Sequence, residues 1–215
     1  MTKAPSPRTR LRRLHDKAAY DRAVIDAILD AMPVAHVGHV VAGFPVVTPT
    51  LQWREGDRIY WHGSSASRMQ KQAADTQVCV TVTLTDGMVL ARSGLEHSVN
   101  FRSVMVFGRA EPVEGSAAKE AHLRTMMEQM FPGRWDQLRP ITTQELKATR
   151  ILSLPLTEAS AKISAGPPSD PAEDRDWPVW AGVLPVSLTM GAPEPAPDLA
   201  PGIPLPNHAS GYRIG

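Results

Sequence analysis

The segment of this 215-residue chain best equipped to hold a ligand is WHGSSASRMQKQ, residues 61–72. Ser64, Ser65 and Ser67 follow His62 and Gly63, and Arg68 and Lys71 come directly after. Short hydroxyls and backbone amides at a helix start, with a cation in the first turn, suit an anion. Arg68 can meet a phosphate with two parallel N–H donors, and Lys71 adds a second positive charge. The same residues also suit a plain N-cap, with one hydroxyl capping the helix and Arg68 solvated. Capping needs one hydroxyl and there are three here, so both readings stay open at this level.

Other candidate groups carry less. His36 and His39 in HVGH lie three apart in a strand-like run. Residues at that spacing face opposite sides of a strand, so they cannot share one metal ion. Met126 and Met127 suit a core. Cys79, the only cysteine, lies inside VCVTVT as a buried thiol, which excludes an internal disulfide and any paired-cysteine metal site. The nucleophile-elbow, phosphate-loop and zinc-protease motifs are absent. Arg92 in VLARSG and Arg102 in VNFRSV sit on strands that would neighbour the serine-rich segment.

The elements that must position these groups are mostly strands. Val24, Ile25, Ile28 and Leu29 recur at helical spacing and end before Pro33, predicting a short amphipathic helix. VAHVGHVV, GFPVVTPTLQWR and RIYWHG read as strands, the last two joined by the turn EGD. A helix is predicted from about Ser67 to Ala74. QVCVTVTLT, a turn at DGM and VLARS follow, then NFRSVMVFGRAEPVE as one long strand bent at Gly108. Residues 116–131 read as a second helix, and Ala148 to Leu156 as a strand closing a barrel. About six strands with hairpin signals and no βαβ alternation predict a mainly β fold, an antiparallel barrel or sandwich with flanking helices.

Composition sets the outer bounds. At 42% hydrophobic and 21% charged residues, with net charge +1, the chain is an ordinary globular protein with no overall bias toward nucleic acid. Charge is uneven: residues 1–22 carry seven Lys/Arg against two Asp, and residues 156–215 carry seven Asp/Glu against three Lys/Arg. The segment PRTRLRR lacks interleaved aromatics, so a nucleic-acid role is not expected of it. No apolar run approaches the roughly 18–20 residues that span a bilayer, and no hydrophobic segment follows the N-terminal charges. A cytoplasmic protein without a membrane anchor is the expectation. Eleven of the twenty prolines fall between residues 165 and 207, where a folded domain is not expected. Trp177 and Trp180 nevertheless imply that part of this segment lies on another surface. The expected organisation is a basic arm at 1–19, a barrel domain at 20–165, a packed extension at 166–190 and a Pro-rich extension at 191–215.

An ordered series of segments then carries a resemblance. YDRAVIDAILD, FPVVTPTLQWREGDRIYWHGSSASRM, VCVTVTLTDGMVLARS, HSVNFRSVMVFGRA, PGRW, ELKATRILSLPL and PVWAGVLP occur in that order over roughly residues 8–188. The series resembles the pyridoxamine 5'-phosphate oxidase-like FMN-binding split-barrel superfamily, in its flavin-nucleotide-binding branch that includes nitroimidazole-resistance proteins. The resemblance implies a Greek-key split β-barrel working as a homodimer, with one FMN in each of two clefts at the interface. It implies that Ser64, Ser67 and Arg68, supported by Lys71, hold the 5'-phosphate, and that His62 and Gly63 line the ribityl chain. Pro49, Thr50 and Leu51 would present strand backbone to the isoalloxazine edge. Asn100, Arg102 and Trp180 are the candidates for the second wall, contributed by the partner, with dimer packing an equal reading for Trp180. Where related sequences tend to carry a basic residue, this one has Ser164 in AKISAGPP, and the substrate-phosphate signature of true pyridoxamine phosphate oxidases is not evident.

The activity so implied is an FMN-dependent oxidoreductase. A reduced nicotinamide would supply electrons that pass through flavin N5 to a small oxidised substrate, with no side chain an essential acid or base. The alternative is a binding module that holds heme, a deazaflavin or another ligand on the same barrel. For heme, the candidate axial ligands are His62 and His97.

Overall fold

The computed structural model describes residues 3–215. β1 (Ala18–Ala19) precedes α1 (Arg22–Ala31), which Asp21 caps by accepting the Ala23 N–H at 3.0 Å. Ile25, Ile28 and Leu29 form the buried stripe of α1, as their spacing predicts. β2 (Val34–Val41) and β3 (Phe44–Glu55) form a hairpin whose two turn residues, Ala42 and Gly43, both have positive φ. That backbone hand matches the twist of paired strands, and Ala42 accepts the strain that glycine would avoid. β4 (Arg58–Ser64) returns through a turn at Gly56 and leads to α2 (Arg68–Ala73).

β5 (Gln77–Leu90) is one continuous strand, not two strands around a turn at DGM. The correction has a physical reason: β6 (Ser98–Arg109) pairs along nearly all of it, and the irregularity at Asp86 is absorbed as a bulge between Thr85 and Gly87. The predicted long strand past Gly108 also divides. β6 ends at Arg109, and β7 (Glu111–Pro112) crosses to a different neighbour. α3 (Ser116–Met130) follows, then α4 (Thr143–Ala148), a helix the apolar pattern does not announce. Its start is a capping box in which Thr142 and Glu145 satisfy each other's backbone amides.

β8 (Thr149–Pro155), β9 (Ala159–Ser164), β10 (Gly182–Pro185) and the short α5 (Asn207–Ser210) complete the chain. The ten strands, against about six expected, run in the order β1-β9-β6-β5-β2-β3-β4-β8-β7, with β10 on β5 and every pairing antiparallel. β10 takes the β5 edge beyond the point where β2 leaves it, so PVWAGVLP is strand-paired through Gly182–Pro185.

Two cores hold this arrangement. Inside the barrel, Ile59 and Trp61 of β4 and Leu152 and Leu154 of β8 meet α1 and the inward residues of β5 and β6. On the outer face of β3, β4 and β8, Trp53, Tyr60 and Ile151 pack against Leu123 and Met126 of α3 and Leu146 of α4. Alternation along β4 sends Trp61 inward and Tyr60 outward, so one strand serves both cores. Each large side chain buried this way contributes about 1.5–3 kcal/mol.

Candidate functional site

The site begins where two strands part. β3 and β4 pair from Glu55/Arg58 to Gln52/Trp61 and no further. Beyond that point β3 stays with β2, while His62, Gly63 and Ser64 of β4 stay with Ile151, Arg150 and Thr149 of β8. Pro49, Thr50 and Leu51 therefore have β2 on one edge and no strand partner on the other, opposite the diverging end of β4. This is the split in the barrel, and it opens between two of the sequence-predicted groups.

At the end of β4 the chain folds into a tight turn. The Ser64 carbonyl accepts the Ser67 N–H at 2.9 Å, the Ser64 hydroxyl accepts the Ala66 N–H at 3.2 Å, and the Ser65 N–H donates to the Ala148 carbonyl at 2.7 Å. Ser67 is the N-cap of α2, yet its hydroxyl caps nothing. The plain capping reading is thus not realised, and the Ser67 hydroxyl remains free for a ligand. Arg68 is exposed and donates only to the Gln72 amide oxygen at 3.1 Å. Among the described residues, neither Arg68 nor Lys71 has an ion-pair partner. Two unpaired cations next to a free hydroxyl form a surface that favours an anion.

Three groups here escaped sequence reasoning. Arg150, half-buried on β8, is registered directly opposite Gly63 and reaches the Gln70 carbonyl at 3.5 Å, with no ion-pair partner among the described residues. The KATRIL segment showed a strand arginine, but only the β4–β8 register places it beside Gly63. Gln70 is fully buried, and neither atom of its amide has a hydrogen-bond partner. Its side chain lies where a Gly63 side chain would be, with Nε2 2.8 Å from the position of an added Cβ. Trp61 is likewise fully buried with its indole N–H unpartnered. His62 is half-buried beside Trp53, with ring centroids 6.0 Å apart, and its Nδ1 is shielded without a partner. Burial pushes the His62 imidazole below its ordinary pKa, keeping it neutral.

The second predicted wall lies elsewhere on the chain. Asn100 donates to the Gly166 carbonyl at 2.9 Å, and Arg102 is engaged by Asp86 through contacts of 2.8–3.2 Å. That carboxylate raises the Arg102 pKa and occupies its guanidinium. Trp180 is 61% exposed, and its indole folds back over Gly182, 2.8 Å from where a Cβ would stand. β5, β2 and β3 separate β6 from β4 in the strand order, so the sheet does not set Asn100 and Arg102 beside the Ser64–Lys71 segment, and Trp180 lies just ahead of β10 on the β5 edge. His97 is exposed, with Nδ1 on the Ser93 carbonyl at 2.9 Å. Lys17 brings its ammonium to the Ser164 hydroxyl at 2.9 Å, supplying a positive charge beside a position that itself carries none.

Residues 21–163, two thirds of the chain and all of the strands around the split, match the family model described as pyridoxamine 5'-phosphate oxidase. The chain belongs to this family. Among solved structures, it is similar to the flavocytochrome Anf3 from Azotobacter vinelandii, with 47% identity over 100% of both chains and a TM-score of 0.97. It is also similar to the FAD and heme binding protein from Mycobacterium smegmatis, with 38% identity, 92% of this chain and 98% of that one covered, and a TM-score of 0.87. A protein from Bacteroides thetaiotaomicron assigned to 5-nitroimidazole antibiotic resistance matches at 21% identity over 68% of this chain and 86% of its own, with a TM-score of 0.56. That last likeness extends to the fold alone. No curated protein matches the chain. Among the described residues no group of histidines, cysteines and carboxylates could hold a metal ion, and no helix is long and apolar enough to cross a membrane.

Proposed function

We propose that this chain is a redox protein carrying a flavin in the split of the barrel and a heme. The observation that carries this reading is its likeness, over its whole length and at nearly half identity, to a flavocytochrome. The name of the mycobacterial relative, which binds FAD and heme, favours FAD over the FMN that the sequence resemblance implies. The residues fit a flavin nucleotide. Arg68, Lys71 and the Ser67 hydroxyl suit phosphate oxygens, and Arg150 supplies a further cation for a dinucleotide's second phosphate. Pro49–Leu51 offer an unpaired strand edge to the ring system.

When bound, a flavin exchanges one or two electrons and a heme exchanges one, so together they suit transfer between unlike partners. This chain's own residues bind and orient these groups. If His62 lines the ribityl chain, the burial that lowers its pKa would keep positive charge away from that side. A reduced nicotinamide donor and a small oxidised acceptor, the classes implied by the family resemblance, remain part of the proposal.

A homodimer belongs to it as well. Val40, Phe44 and Val47 on β2 and β3 are each more than 60% exposed, as are Trp177 and Trp180. An apolar area of this kind suits a second copy, whose Asn100 and Trp180 would then wall the flavin. The test is the absorption spectrum of the freshly purified protein, with the flavin released and identified by chromatography and heme assayed as its pyridine complex. FAD and heme together support the reading. A protein that holds neither, and takes up neither on addition, refutes it.

A further inference from the structure

The basic arm has no part in the flavin reading, yet the fold does not leave it loose. Thr9 is only 2% exposed, and its hydroxyl donates to the Ser6 carbonyl at 3.1 Å. The Ser6 hydroxyl donates to the Glu158 carboxylate, and the Tyr20 hydroxyl accepts the Leu11 N–H at 3.0 Å. Lys17 donates to the Ser164 hydroxyl at 2.9 Å, and β1 then pairs with β9. The arm is therefore a fixed ridge beside β9.

This ridge carries cations without counter-ions. Arg8, Arg10, Arg12 and Arg13 are exposed, and among the described residues neither they nor Lys17 have an ion-pair partner. An opening of about 740 Å³ runs between Ser6, Pro7, Arg10, Leu11, Arg12 and His15, with no carboxylate in its wall. The other large opening, about 820 Å³, lies between the end of α1, β3, the end of α3 and the C-terminal segment, where His208 and Tyr212 line it. Opposite charges already meet there, with Arg54 on Asp30 at 2.6 Å. On the ridge like charges are held together, and an anionic surface brought against them relieves their repulsion.

The chemistry of the arm narrows the choice of anion. Between Lys3 and Lys17 it has no Phe, Tyr or Trp on which a base could stack, and its only helical piece is the single turn His15–Lys17. It therefore has neither a stacking platform for nucleic acid nor an amphipathic helix to lie in a membrane surface. Its position points to redox chemistry. Ser164, which receives Lys17, is registered with Phe101, and the adjoining Asn100 donates to the Gly166 carbonyl. In the reading above, Asn100 of a second copy walls the flavin, so a protein seated on the ridge lies beside that wall.

We infer that the arm is the docking surface for an acidic electron-carrier protein, a small iron–sulfur or flavin protein that delivers single electrons. The inference rests on the redox reading above. Docking breaks no bond; each productive encounter oxidises the carrier by one electron and reduces this chain's cofactors by one.

The test uses full-length protein with its bound cofactors, mixed in stopped flow with a reduced, acidic plant-type [2Fe–2S] ferredoxin at increasing sodium chloride. The second-order rate constant is expected to fall steeply as salt rises. The triple variant Arg10→Glu, Arg12→Glu, Arg13→Glu is expected to lower it at least about tenfold at low salt. The corresponding lysine triple is expected to keep the wild-type rate, and photoreduced deazariboflavin, an uncharged small reductant, is expected to reduce all three proteins equally. If the ferredoxin rate ignores salt, or the glutamate triple matches the wild type, the inference fails and the redox reading stands. The same holds if deazariboflavin reduces the wild type and ferredoxin does not, or if the arginines retain duplex DNA or anionic phosphatidylglycerol vesicles instead of ferredoxin. If neither reductant finds a cofactor to reduce, the redox reading fails, and the inference with it.

Discussion

Substituting Gly63 by alanine tests the site where its backbone is most crowded. The added Cβ would lie 2.8 Å from Gln70 Nε2, 3.1 Å from its Cγ and 3.3 Å from its Cδ. The amide is the far end of a flexible chain and could swing, but Cγ moves only by a change of χ1, and Gln70 is fully buried, so a new rotamer must find room among packed neighbours. Overpacking of this kind costs about 1–3 kcal/mol. The least costly relief is a shift of α2 away from β4, which carries Ser67, Arg68 and Lys71 with it. Gly63→Ala is therefore expected to lose about 1–3 kcal/mol in urea unfolding of the flavin-free protein. It is also expected to bind flavin about tenfold more weakly, equivalent to about 1.4 kcal/mol. Gln70→Ala removes the opposing side chain, and with it an amide that makes no hydrogen bond. The double variant should then recover most of the loss, giving a non-additive coupling of about 1–2 kcal/mol. Wild-type stability in Gly63→Ala, or simple additivity in the double variant, would refute the reasoning.

Arg68→Ala removes a cation whose only protein partner is Gln72, so stability should hold while flavin affinity falls by about 1.5–3 kcal/mol, or roughly ten- to a hundredfold, in a fluorescence titration. Asp170 accepts the Arg92 N–H at 2.8 Å and its guanidinium at 2.7 Å, and these contacts, the backbone one first, hold its carboxyl below the usual range. A depressed folded value means that its stabilisation is complete above the unfolded value of about 3.9 and is lost as pH falls through the folded one. Melting temperature should therefore lose this contribution only below about pH 4, and Asp170→Asn should flatten that acid limb. Thr142→Ala breaks the capping box of α4 and should lower the unfolding free energy by about 1 kcal/mol in denaturant titration, without changing flavin affinity.

Much of the molecule is legible in the chain because the relevant signals are local. The spacing of Ile25, Ile28 and Leu29 announces α1, the EGD turn announces the β3–β4 hairpin, and the serines before Arg68 announce the turn into α2. Where the reading failed, a non-local partner had overridden a local signal. DGM has the composition of a turn, but β6 pairs through it and converts it to a bulge. β9 and β10 are too short and too mixed in composition to be read as strands, and exist because β6 and β5 offer them edges. α4 is visible only through its cap.

The candidate site divides along the same line. The order of residues alone determined which groups could hold a phosphate, since Ser64, Ser67, Arg68 and Lys71 are neighbours along the chain. It also determined the family, through the series of segments that residues 21–163 match. Only the tertiary structure decided that β3 and β4 separate after Gln52 and Trp61, that Arg150 stands across from Gly63, and that His208 returns to line a cavity beside β3. The last two decisions join residues about 90 to 155 positions apart. Strand register and the docking of a chain end depend on which edges and surfaces remain unsatisfied after the rest has folded, and that information is carried by no single stretch of sequence.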